Sequence, residues 1–109
     1  MSDVLLILCT FPNPEQARQI GTVLVERQLA ACVNLIPGIE SIYRWQDQVE
    51  SQTEVLAIFK TRAAGYPALQ RALEELHPYE VPEILAISPE AVAGPYRSWV
   101  LNNVALPDR

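Results

Sequence analysis

The stretch Cys32-Val33-Asn34-Leu35-Ile36-Pro37-Gly38-Ile39-Glu40-Ser41-Ile42-Tyr43-Arg44-Trp45, followed by Gln46-Asp47-Gln48 and a second run over 49–61, decides the fold. Residues 31–45 alternate in the β manner, with Pro37-Gly38 marking a bulge or bend partway along. In the second run Val55, Ala57 and Phe59 oppose Glu54, Leu56, Ile58 and Lys60. The polar break between the runs predicts a hairpin. Each arm is about a dozen residues, or about 40 Å at roughly 3.3 Å per residue, well beyond the usual strand.

Working outward, 4–10 is a near-continuous apolar run of the kind found at the centre of a sheet, and Phe11-Pro12-Asn13-Pro14 breaks it. Asn13 can cap a helix with Pro14 at its first position. Ala17, Ile20, Val23 and Leu24 then recur at helical spacing up to about Gln28. A second helix over 63–77 carries Leu69, Ala72, Leu73 and Leu76, tolerates Pro67 in its first turn and stops before Pro78. A short strand over 84–88 lies between Pro82 and Pro89. Gly94-Pro95 opens a last helical stripe through Tyr96, Trp99, Val100 and Val104, and 105–109 reads as a frayed tail. The order predicts one α+β domain over 1–109: a ferredoxin-like βαββαβ fold with both helices on one face, a long hairpin between strands two and three, and an added C-terminal helix.

The chain has 109 residues, half of them apolar, enough for one core without metal or disulfide staples. A formal charge of −5 and eight basic residues scattered singly argue against nucleic acid as a partner. The apolar run at the N-terminus is too short for a signal core or a membrane span, which implies a cytoplasmic protein with no membrane partner. Cys9 and Cys32 each sit in an apolar strand-like segment and read as buried reduced thiols, with no CxxC pattern. One histidine, no glycine-rich phosphate loop and no nucleophile motif argue against an enzyme.

Two helices of this length cannot cover such a hairpin. It would leave Ile39, Ile42, Tyr43, Trp45 and Val55 in water, and symmetric assembly of several copies solves this. The alternative is a hairpin that bends at Pro37-Gly38 and folds back over its own core.

The segments 32–43, Trp45, Glu54-Val55, Lys60-Thr61 and above all His77-Pro78-Tyr79-Glu80-Val81-Pro82-Glu83 together resemble the CutA divalent-cation tolerance family over residues 4–102. One departure is Asp47, where the family usually has a turn glycine; Asp tolerates the left-handed geometry. The resemblance implies a ferredoxin-like homotrimer, similar in architecture to the PII signalling proteins. It also implies a role in the response to divalent metal ions and binding of copper or a similar ion, with no cofactor required.

Family metal-binding proposals fall on positions matching Cys9, Cys32 and His77. Strands one and two run parallel across a helical crossover, so Cys9 and Cys32 should lie roughly 20 Å apart and cannot share an ion or a disulfide in one subunit. Cys9 and His77 emerge at one end of the sheet and form the plausible pair for copper or zinc, with Glu80, Glu83 or a neighbouring copy adding further ligands. Against this, Cys9 can be a buried small hydrophobe, and His77 can satisfy carbonyls at a helix C-terminus. Tyr43, Trp45, Tyr79 and Glu83 could line a ligand cleft between subunits or be interface packing. Glu54 is placed beside that cleft, solvated or paired across the interface, with no chemistry of its own.

Overall fold

The computed structural model describes residues 2–106. Its elements follow in the expected order: β1 (Val4–Phe11), α1 (Pro14–Glu26), β2 (Cys32–Trp45), β3 (Gln48–Arg62), a 3-10 turn (Ala63–Gly65), α2 (Tyr66–Leu76), β4 (Leu85–Ile87) and α3 (Gly94–Asn102). The four strands form one antiparallel-paired sheet in the order β2-β3-β1-β4, the split-βαβ arrangement, with β1 and β2 parallel on either side of β3.

Local chemistry sets the boundaries. Asn13 is extended and its side chain accepts the Gln16 N–H at 2.9 Å, with Pro14 in the first turn of α1. At the other end of α1 Gln28 takes a left-handed conformation (φ 59°), while Leu29 N–H returns to the Leu24 carbonyl and Gln28 N–H to that of Val25. The second helix starts later than its apolar spacing implies, because 63–65 tighten into a 3-10 turn before Pro67. His77 leaves it in an extended conformation (φ −70°, ψ 139°), as a residue before proline must. Strand β4 is shorter than expected and pairs only with Leu6–Leu8 of β1, since Pro82 and Pro89 bound its reach. The tail is held as far as Ala105, whose N–H donates to the Gln28 carbonyl; 107–109 lie outside the described residues.

The pleat sorts the core. Leu5, Ile7, Cys9 and Phe11 of β1 and Val55, Ala57 and Phe59 of β3 face α1 and α2, against Ala17, Leu24, Leu69 and Leu73. Val4 points the other way and joins Ala31, Val100 and Val104, so α3 covers one end of the opposite face. Of the predicted α3 stripe, Val100 and Val104 are buried, whereas Tyr96 and Trp99 remain exposed. The rest of that face carries the paired rows Ile58, Leu8, Leu85 and Leu6, Ile87 with no helix above them; Leu85 is 54% exposed.

The hairpin overhangs the sheet. Phe11–Val55 is the last β1–β3 pair, so 48–54 of β3 have no partner on their β1 side, an overhang of roughly 20 Å at strand rise. The hairpin does not fold back: its overhang leaves Ile42, Tyr43, Trp45 and Val49 exposed, and the longest dimension is 43 Å. Ile39 is half-buried and Val55 is buried in the core, so these two are not in water as expected from the sequence. Gln46 (φ 51°) and Asp47 (φ 66°) close it in a two-residue turn with both residues left-handed, which confirms that Asp suffices at the turn. No helix among the described residues is long and apolar enough to cross a membrane.

Between Ile36 and Ile39 the β2–β3 register shifts at Pro37-Gly38, and Gly38 has φ 77°. A Cβ at Gly38 would meet nothing within 4 Å, so any cost there is purely conformational. Gly38→Ala should therefore lower unfolding stability by about 1–2 kcal/mol, and Gly38→Asn by less. Urea unfolding midpoints check this, and an Ala variant as stable as wild type would remove the left-handed requirement.

Candidate functional site

The bulge decides which side chains meet. Up to Ile36, the even-numbered residues of β2 share a face with Leu56 and Ile58; after it the parity flips, and Ile39, Ser41, Tyr43 and Trp45 pair with Glu54, Gln52, Glu50 and Gln48 on that same face. Tyr43 and Trp45 thus share the face of Glu54. The segment following α2 closes the other side, giving a cleft of about 530 Å³ that contains all five of the expected residues: Tyr43, Trp45, Glu54, Tyr79 and Glu83. Sequence reasoning did not include Thr10, Ser41, Ile42 and Val81 in it, because their membership depends on how β1 and the post-α2 segment approach the hairpin. Glu80, foreseen as an accessory ligand, lines the same cleft.

A chain of contacts runs from β1 into this cleft. The His77 ring is 7% exposed, stacked on Phe11 (centroids 4.6 Å apart) and tilted against Tyr79 (4.8 Å). Its Nε2 lies 2.7 Å from the Thr10 carbonyl and Nδ1 accepts the Tyr79 backbone N–H at 3.1 Å, an arrangement that requires the neutral ring protonated on Nε2. The Tyr79 hydroxyl donates to Glu54 Oε2 at 2.5 Å. Burial, and then the bond to this carboxylate, raise the Tyr79 phenol above its ordinary range, so it remains a donor. His77 therefore satisfies a carbonyl, but that of the neighbouring strand rather than of its own helix.

The expected metal pair reaches one end of the sheet in a form that does not fit an ion. Cys9 is fully buried among apolar side chains; burial, with the charges of Glu83 and Glu54, pushes its thiol up to about 12, so it is not a thiolate at neutral pH. Both nitrogens of His77 are engaged. Among the described residues, no group of three or more His, Cys, Asp or Glu side chains is placed to hold a metal. Cys32 is separate for a reason beyond distance. It pairs with Lys60 while Cys9 pairs with Ala57, so the two thiols point to opposite faces of the sheet, and their separation is roughly 14 Å from strand spacing and rise rather than the expected roughly 20 Å. Both cysteines are free, but only Cys9 is buried; Cys32, on the face not covered by α1 and α2, is partly exposed, contrary to expectation. Cys32 Sγ instead lies 3.6 Å from the Tyr96 hydroxyl, which this contact and burial push up to about 12. Nothing in the sequence signalled that contact, because it joins β2 to α3 across the fold.

The family model described as CutA1 divalent ion tolerance protein matches residues 5–103. The divalent-cation tolerance protein CutA of Thermus thermophilus is 45% identical over 98 residues, covering 90% of this chain and 95% of its own length. Human protein CutA is 46% identical over 91 residues, 84% of this chain; the chain spans 51% of that longer relative. Among solved structures, CutA from the bacterium Xylella fastidiosa superposes with a TM-score of 0.92 at 38% identity, covering 95% of this chain and 100% of that one.

Burial holds His77 below the ordinary histidine range, opposed by its bond to Thr10 and the charge of Glu54. A base whose folded pKa is depressed contributes stability that is present above its unfolded value and lost as pH falls through the folded one. Unfolding stability should therefore drop as the pH is lowered below about 6.5. In His77→Asn the Asn oxygen can still accept the Tyr79 N–H, but no titrating group remains. Urea titrations of both proteins across this range check the reading; a stability difference that does not shrink toward acid would remove His77 as the cause.

Proposed function

This chain belongs to the CutA1 divalent ion tolerance family, and we propose that it serves the response to divalent cations as a cytoplasmic homotrimer. The observation that carries the proposal is the combination of an uncovered aliphatic sheet face and an overhanging ribbon. Leu6, Leu8, Ile58, Leu85 and Ile87 lie on a face without a helix above them, and an isolated two-stranded ribbon is marginal in water. Closed symmetry buries both at once, and three copies follow the family architecture. Two free thiols suit the reducing cytoplasm. The proposal contains no catalytic step, since the sole histidine is tied on both nitrogens.

Leu85→Glu tests it, because Leu85 is half exposed in the subunit and the substitution leaves its core intact. Sedimentation should give wild type at three times the 12.2 kDa chain mass and the variant at a single chain mass. Cells lacking the endogenous protein should regain growth in elevated copper or zinc with wild type and not with the variant. A folded single-chain wild type at micromolar concentration would overturn the assembly, and equal growth with both would overturn its role.

Copper or zinc reaches Cys9 and His77 only if His77 surrenders a hydrogen bond. Calorimetry should accordingly find the copper affinity of Cys9→Ala and His77→Asn within about twofold of wild type, since removing a true ligand costs far more. A tenfold loss in either would restore the pair as ligands. A second reading is favoured by the cleft: a signalling module, similar in architecture to the PII proteins, that senses a small molecule or protein partner through Tyr43, Trp45, Glu54, Tyr79 and Glu83.

A further inference from the structure

We infer that the cleft beside the hairpin binds an organic cation, a protonated amine or ammonium group carried on a compact apolar body. The inference rests on the second reading above, that this cleft is a ligand site, and it names the ligand class.

Three observations support it. The first is charge. Glu54, Glu80 and Glu83 line the cavity, and among the described residues no Lys, Arg or His does. Glu54 is 8% exposed, and the one hydrogen bond to its carboxylate among the described residues is the neutral Tyr79 hydroxyl on Oε2. The ion pair present among the described residues, Arg97 with Asp3, lies elsewhere on the surface. A carboxylate that is mostly shielded from water and has no positive partner among the described residues is offset by a cation entering the cleft.

The second observation is the walls. Tyr43, Trp45 and Tyr79 line the same space, and Val81 adds aliphatic surface. Aromatic faces attract ammonium and guanidinium groups and also bury an apolar body, whereas a small hydrated divalent ion prefers a cage of oxygens. The cavity of about 530 Å³ is of a size for a small molecule.

The third is orientation. Glu54 does not float: Tyr79 fixes one carboxylate oxygen, and Tyr79 is itself fixed through its backbone by His77, which is anchored on Thr10. The second oxygen, Oε1, has no hydrogen-bond partner among the described residues and is the acceptor offered to a donor in the cleft. In this arrangement His77 is a positioning residue, Tyr79 both fixes Glu54 and lines the wall, and Glu54 is the group that meets the ligand's charge.

The test uses three probes of one shape and different charge, benzylammonium, benzyl alcohol and benzoate, titrated calorimetrically into the native assembly in an amine-free buffer containing EDTA. Benzylammonium should bind at least about tenfold more tightly than the other two, the effect of one charge-assisted hydrogen bond. It should weaken about tenfold in Glu54→Gln and severalfold in Trp45→Leu, both checked for unchanged sedimentation and melting. Glu83→Gln, on the cleft rim, should weaken it severalfold and stands in if Glu54→Gln fails to assemble. Binding of benzoate or benzyl alcohol as tight as that of benzylammonium would overturn the cationic class while leaving the cleft a ligand site. Absence of binding by all three, with Glu54 paired to a Lys or Arg of a neighbouring copy in a crystal structure of the assembly, would overturn both readings. Absence of binding by all three with Glu54 still unpaired in that structure would overturn the cationic class alone.

Discussion

A four-stranded sheet has two faces, and this chain supplies helices for one of them. Helices α1 and α2 cover the face built on Ile7, Cys9, Ala57 and Phe59, while α3 reaches only the end of the other, against Val4. The aliphatic rows left on that second face are too continuous to be ordinary surface, and the ribbon projecting beyond Phe11 and Val55 has no layer beneath it. Covering apolar area of this kind is favourable, and the proposed trimer answers that deficit of burial.

The cleft owes its composition to a single extra-residue irregularity. In a strand, side chains alternate faces with a strict period of two, so an uninterrupted β2 would send Tyr43 and Trp45 away from Glu54. The bulge at Pro37-Gly38 reverses the parity and brings both aromatics to the carboxylate. Two properties make the dipeptide suited to this. Proline lacks a ladder donor, and glycine accepts the positive φ that the shifted register needs. A second local constraint acts on the opposite wall, where Pro78 ends α2 at His77 and so turns the ring toward β1 instead of letting it continue along the helix.

The position of His77 also separates two roles that look alike in sequence. A histidine near a cysteine at one end of a sheet reads as half of a soft-metal site. Here the ring is a neutral bridge between the Thr10 carbonyl and the Tyr79 amide, and the nearby thiol is buried in its protonated form. Ligation and bridging compete for the same lone pair, and hydrogen bonds that organise a cleft are made by residues standing behind the group that meets the ligand. In this molecule the histidine serves the carboxylate of Glu54 through Tyr79 rather than facing solvent itself.

Much of this was legible in the chain alone. Alternation over 31–45 and 49–61, the Pro-Gly bulge, the Asn13-Pro14 helix start and the stop before Pro78 are local effects of sterics and pleat, and they were sufficient to derive the element order and the hairpin, whereas the grouping of Tyr43, Trp45, Tyr79 and Glu83 came with the family resemblance. Tertiary structure decided the rest: which face α3 covers, that Cys9 and Cys32 point oppositely, that Tyr96 meets Cys32, and that His77 spends both nitrogens on backbone groups. Those facts depend on contacts between residues far apart in the chain. Periodicity fixes where a side chain lies along its own element, whereas its partner across the fold is set by how the elements pack against one another.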